Sequence, residues 1–192
     1  MRRTAITAVA TLSLVVLAAG AAAATVARDS ARAAGTAASI DDATIVAIYD
    51  AANTADMETG ALAAERGASK EVRDFGAMLV RDHRQVRQLG RDLAQKLGVT
   101  PTPPADSASA KAHAAAMTRL RALSGAEFDH AFLQHEVAFH QTVLDAMNNT
   151  LVPAIQNAEL KALVVKVAPA FEGHMIAARN LDRRLAGSAG NR

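Results

Sequence analysis

The chain contains no cysteine. That excludes disulfides, thiolate chemistry, iron–sulfur ligation and the N-terminal cysteine on which a bacterial lipoprotein anchor is built. Any metal must therefore be held through nitrogen and oxygen. Tryptophan is absent and aromatic residues make up only 3% of the 192 positions, so no aromatic platform for stacking nucleobases can be assembled, and strand-forming residues are scarce. Proline and glycine are few, which leaves long stretches open to helix. An excess of charge is missing as well. The net +2 comes from Arg2 and Arg3; without them 19 basic side chains balance 19 acidic ones over residues 28–192. With no basic stripe, nucleic acid is not an expected partner.

What is present is apolar and helix-favouring. Ala, Leu, Arg and Val dominate, and 51% of residues are apolar, enough for one buried core at this length. The N-terminus has the layout of a secretory signal: Arg2 and Arg3, then an uncharged run from Thr4 to Ala27 centred on Leu12, Leu14, Val15, Val16 and Leu17, with small residues before Arg28. Cleavage after Ala24 or Ala27 would release the rest. Left uncut, the run is long enough to anchor the chain in a bilayer. Both outcomes put the domain outside the cytoplasm, in the periplasm, the medium or the cell envelope. Four segments are expected: a signal peptide or anchor over 1–27, a tether over 28–40, a folded domain over 41–186 and a disordered tail over 187–192.

Four long helices are predicted in the domain. The first runs from Asp41 to about Arg66, with Ser39 as N-cap, Gly67 as stop and a stripe of Ile45, Ile48, Ala52, Ala55, Thr59 and Leu62. In the second, Ser69 is the cap and Val72, Phe75, Leu79, His83, Val86, Leu93 and Leu97 recur at three- and four-residue steps up to Gly98. Pro101, Pro103 and Pro104 forbid continuation. A connection from Gly98 to Gly125, holding a short Ala-rich helix near Ser109 to Leu123, is long enough to cross over rather than form a hairpin. The third helix opens with a capping box, Ser124 to Glu127, and carries Phe128, Phe132, Glu136, Phe139, Val143 and Met147 on one face until Asn148 and Asn149. The last shows Leu160, Val164, Val167, Phe171, His174, Ala178, Leu181 and Leu185, with Pro169 expected to kink it. Four long helices with one long connection between the second and third describe an all-α, ferritin-like four-helix bundle.

Placing ionisable residues at 100° per residue separates those that can meet inside the bundle. His83, Glu136 and His174 interrupt apolar stripes, His140 lies one turn after Glu136, and Glu58 lies on the flank of the first helix, one turn before Leu62. A carboxylate or imidazole from each of four helices is how bundles build metal sites; this mixture suits iron, zinc, manganese or copper. Buried carboxylates need a cation or a proton. The competing reading is a metal-free polar network that sets helix register. The literal Glu-x-x-His of Glu127 and His130 falls opposite Phe132 and Phe139, so both point outward, and Glu172 falls about 130° from the stripe of His174. His113 and His135 fall at the surface or stripe edge, and Asp82 either orients His83 or is exposed.

Met78 to His83, Phe128-Asp129 through Glu136 to His140, Asn157 to Lys161 and Pro169 to His174 together resemble the exported bacterial family called domain of unknown function 4142, often labelled outer membrane proteins. The resemblance covers about Asp41 to Leu185. It implies a ferritin-like domain and recurrent positions at Glu58, His83, Glu136, His140 and His174, but no activity. Val80 and Phe171 stand where ferritins place carboxylates, which points to a single-metal or metal-free core. No nucleophile elbow, phosphate-binding glycine loop or zinc-protease motif is present. The expectation is an exported protein that binds one transition-metal ion for metal handling or oxidative stress; the alternative is a metal-free envelope interaction module.

Overall fold

Among the described residues, helix-stop signals separate five helices longer than two turns: α1 Asp42–Arg66, α2 Lys70–Leu97, α3 Ala108–Arg121, α4 Gly125–Ala146 and α5 Ala158–Ala189. The computed structural model describes residues 40–105 and 108–189, and no strand occurs among them. The expected leader, most of the tether and Ser39 lie outside the described residues.

The N-cap of α1 is Asp41, whose carboxylate accepts from the Thr44 amide at 2.8 Å; such a carboxylate also suits the positive end of the helix dipole. Ser69 Oγ caps α2 as expected, accepting from Val72 N at 3.2 Å, and Gly98 ends that helix in the left-handed conformation at φ +65°. The capping box expected at Ser124 does not form. Gly125 has φ +61°, whereas a capping box needs helical geometry at that position. Asn148 and Asn149 do not end the helical path either: a π-helical turn, Met147–Leu151, and a single turn, Val152–Ala154, continue it. Asn157 Oδ1 accepts from the amides of Glu159 and Leu160 at the head of α5. That helix runs through Pro169 without a break and reaches Ala189, so 187–189 are helix and not the disordered tail expected there.

α1 packs along α2 and α4 along α5; contacts of α2 with α5 and of α1 with α4 join the pairs. With α3 inside the crossover, this is the connectivity of an all-α ferritin-like bundle. Two carboxylates tie the ends. Asp129 accepts from the amides of Ala68 and Ser69, both at 2.8 Å, and Asp42 accepts from Gln156 N at 2.9 Å and Asn157 N at 2.8 Å. No helix among the described residues is long and apolar enough to cross a membrane.

The core is layered. One apolar cluster contains Leu62, Val72, Phe75, Leu79, Leu120, Phe128, Phe132 and Leu181, and the other Ile45, Tyr49, Ala94, Met147, Leu160, Val164 and Phe171. In the sequence of every long helix a buried polar segment falls between its contributions to the two clusters: Asn53, Asp56 and Thr59 on α1, His83 on α2, Glu136 and His140 on α4, and His174 on α5.

Candidate metal centre

Three imidazoles and one carboxylate converge in that polar layer. Asp56, His83, His140 and His174 are all buried, and each offers a ligand atom within 4.8 Å of those of the others. His83 Nε2 lies 3.1 Å from His174 Nδ1 and against Asp56 Oδ2, while His140 Nε2 lies 3.4 Å from the same Asp56 oxygen.

The outer nitrogen of each ring decides what the inner one can do. Asn53 Nδ2 donates to the Tyr49 carbonyl at 2.8 Å, which turns Asn53 Oδ1 toward His83 Nδ1 at 2.9 Å. An amide oxygen only accepts, so Nδ1 carries hydrogen. His140 Nδ1 donates to the Glu136 carbonyl at 2.9 Å, and His174 Nε2 donates to Asp82 Oδ2 at 3.3 Å. In its neutral form each ring therefore aims a lone pair inward, those of His83 and His140 at the Asp56 carboxylate and that of His174 at His83. Both Asp56 oxygens and His140 Nε2 lack a hydrogen-bond donor. Acceptors facing acceptors in a dry core are costly unless a cation or a proton lies among them. The donor set thus fits a metal ion bound through three nitrogens and one oxygen, with each ring oriented from behind by an oxygen acceptor.

In the metal-free protein the same groups also interact electrostatically. Burial raises the Asp56 carboxyl, but His83 and His140 more than offset it and hold it down at about 2. Burial lowers His140 to about 4 against the opposing pull of Asp56, and burial with His83 nearby lowers His174. Those two rings are neutral at pH 7. Glu136, fully buried beside Asp56, is pushed well above the usual carboxylate range by burial first and by the Asp56 charge second. Glu136 therefore holds its proton more tightly than an ordinary carboxyl, and Asp56 is the more readily ionised of the two carboxyls at the centre. Phe171 walls the site with its ring 4.9 Å from His83 at 85° and 5.7 Å from His140.

Of the expected ligands, His83, His140 and His174 are brought together, and Glu136 lies beside them with its Oε2 3.5 Å from His140 Nδ1. Glu58 is corrected: it is exposed and pairs with His113 Nε2 at 2.8 Å. Two residues along α1 from Asp56, it is turned about 200° away. Asp56 and Asn53 were missed by sequence reasoning, although Tyr49, Asn53, Asp56, Thr59 and Ala63 recur at helical spacing and are all buried. Asp82 contacts His174 rather than His83. Glu127, His130 and Glu172 are exposed, as their wheel positions require. His130 pairs with Asp182 at 2.6 Å.

Residues 27–181 match the family described as Domain of unknown function (DUF4142). Among solved structures, the chain is similar to one described as "CopM in the Cu(II)-bound form", with a TM-score of 0.57 and 13% identity, covering 75% of this chain and 98% of that chain. At that identity the likeness is one of fold. No curated protein matches the chain.

Proposed function

The chain belongs to the DUF4142 family, whose description names no function, and from that premise we propose that it is a metal-binding protein holding one late transition-metal ion. Asp56, His83, His140 and His174 supply the ligands. Glu136 stands beside them, and Asn53, Asp82 and the Glu136 carbonyl orient the rings. The observation that carries the reading is the convergence of four buried ligand atoms, among which the Asp56 oxygens and His140 Nε2 have no hydrogen-bond partner.

Three imidazoles with one carboxylate and no thiolate favour copper or zinc in the second oxidation state over manganese, and affinity at such sites peaks at Cu(II). The similar solved structure carries Cu(II) by its description, which supports copper as the first ion to try. One metal enclosed by four ligands suits holding and delivering an ion better than turning over a substrate. With the leader-like first 27 residues, this supports metal handling or protection from metal-driven oxidation outside the cytoplasm, in the periplasm or at the cell envelope.

Elemental mass spectrometry of the untagged protein tests the proposal. About one equivalent of copper or zinc, retained through desalting and removed by chelator, is expected. A chain that carries no ion after metal-replete expression, and takes none up afterwards, would leave the layer as a metal-free network in an envelope interaction module.

A further inference from the structure

The donor set is sealed on three sides. Asp56 and His140 are 0% exposed and His83 is 1%, while His174, at 8%, is the ligand that comes nearest to solvent. Outside it stands Asp82, its side chain 33% exposed. The Arg81 side chain holds Asp82 Oδ1 at 3.0 Å, and the other carboxylate oxygen faces His174 Nε2. His174 therefore spans from a half-exposed carboxylate to the buried centre, one ring nitrogen on each.

The backbone that carries His174 is weak where packing does not require it. Pro169 lies inside α5 and is exposed; lacking an amide hydrogen, it leaves the Val165 carbonyl without its helical partner. Gly173 immediately precedes His174. A Cβ at Gly173 would meet nothing within 4 Å, and its φ is not positive. Neither crowding nor conformation calls for glycine there, so its effect is to lower helix stability on an exposed surface. Gly60, Gly76 and Gly90 contrast with it, because a Cβ at each would strike a neighbour at 2.9 Å or less. Two helix-weakening residues thus sit within five positions of the most exposed ligand, on its N-terminal side.

Resting on the metal-binding reading, we propose that Asp82 and His174 form the port through which the ion reaches and leaves the buried donors, opened by local fraying of α5 over Pro169–Gly173. In the open state His174 swings outward with its segment, and Asp82 offers the incoming cation a carboxylate at the surface. Closure returns His174 Nδ1 to the centre. Asp82 is thus a positioning and loading residue; it is not one of the four inner ligands.

The test uses Gly173→Ala, which keeps every ligand and favours helix, together with Asp82→Asn. Cu(II) uptake is followed by quenching of the emission of Tyr49, the single tyrosine in a chain without tryptophan, and release is followed after adding EDTA. In Gly173→Ala, uptake and release should both slow about five-fold, the factor by which alanine resists local opening relative to glycine, with the dissociation constant unchanged. Amide exchange over residues 170–174 of the metal-free protein should slow by a similar factor. Asp82→Asn should slow uptake at low ionic strength, and added salt should narrow its difference from wild type. Stoichiometric binding with wild-type rates in Gly173→Ala would overturn the port alone. A wild-type chain that binds no Cu(II) would overturn the port together with the metal reading.

Discussion

Of the two carboxyls in the polar layer Asp56 is held low and Glu136 is pushed up by burial and by Asp56 itself, so Asp56 is the one that keeps its charge more readily. Asp56→Asn should therefore lower metal affinity by well over the roughly 10–100-fold typical of losing an orienting group behind a ligand, whereas Glu58→Gln, at a residue salt-bridged to His113 on the surface, should leave it unchanged. Isothermal titration of the two variants separates the structure from the wheel reading that favoured Glu58. The titrating groups also set opposite pH slopes in the metal-free protein. His140 is depressed from 6.5 to about 4, so the unfolded chain binds more protons between those values. Its contribution is present above 6.5 and falls by about 2 kcal/mol from pH 7 to 5; His174 acts in the same direction. Glu136 is raised, so its contribution is full below its unfolded value and declines as pH rises. Glu136→Gln removes that second slope. Thermal melts should show its advantage over wild type growing from pH 5 to pH 7, and its own stability dropping on acidification. An advantage independent of pH would mean that Glu136 is ionised in the fold.

The long helices are amphipathic to different degrees, and that decides how well each could be read. α2 has a clean apolar stripe, and its ends and inward His83 follow directly from spacing. The buried side of α1 instead contains Asn53, Asp56, Thr59 and Gly60 alongside its apolar residues, so its apolar positions point to no one direction and the flank had to be guessed. Gly60 and Gly76 show the same local dependence on a partner, since the backbones of α1 and α2 approach each other there too closely for a side chain. A Cβ at Gly76 would lie 2.5 Å from the Gly60 carbonyl oxygen and 2.7 Å from Ala64 N. Backbone atoms cannot step aside, so Gly76→Ala should cost about 1–3 kcal/mol or more and lower the melting temperature. Gly173→Ala, in open space, should instead gain about 1 kcal/mol. A Gly76→Ala protein as stable as wild type would mean that the two helices lie farther apart than described.

In the whole molecule, two apolar layers with a polar one between them make stability depend on what fills the middle. An ion that binds only the folded state adds about 2.7 kcal/mol at a hundred times its dissociation constant. Copper should therefore raise the melting temperature by several degrees and chelator should reverse the gain; in Asp56→Asn the shift should vanish. By itself the sequence determined the helical class, the ends of α2, the crossover with its short helix and the inward direction of His83, Glu136 and His174. These follow from residue period and from stop signals, which act within a few positions along the chain. Only the tertiary structure decided that Asp56 and not Glu58 lies in the polar layer, and that Asn53 and Asp82 stand behind His83 and His174. It likewise decided that a π-helical turn outlasts the asparagine pair. Each of these depends on groups brought close from separate helices: a polar residue in a core is directed by its partners, and a period along one helix cannot name them.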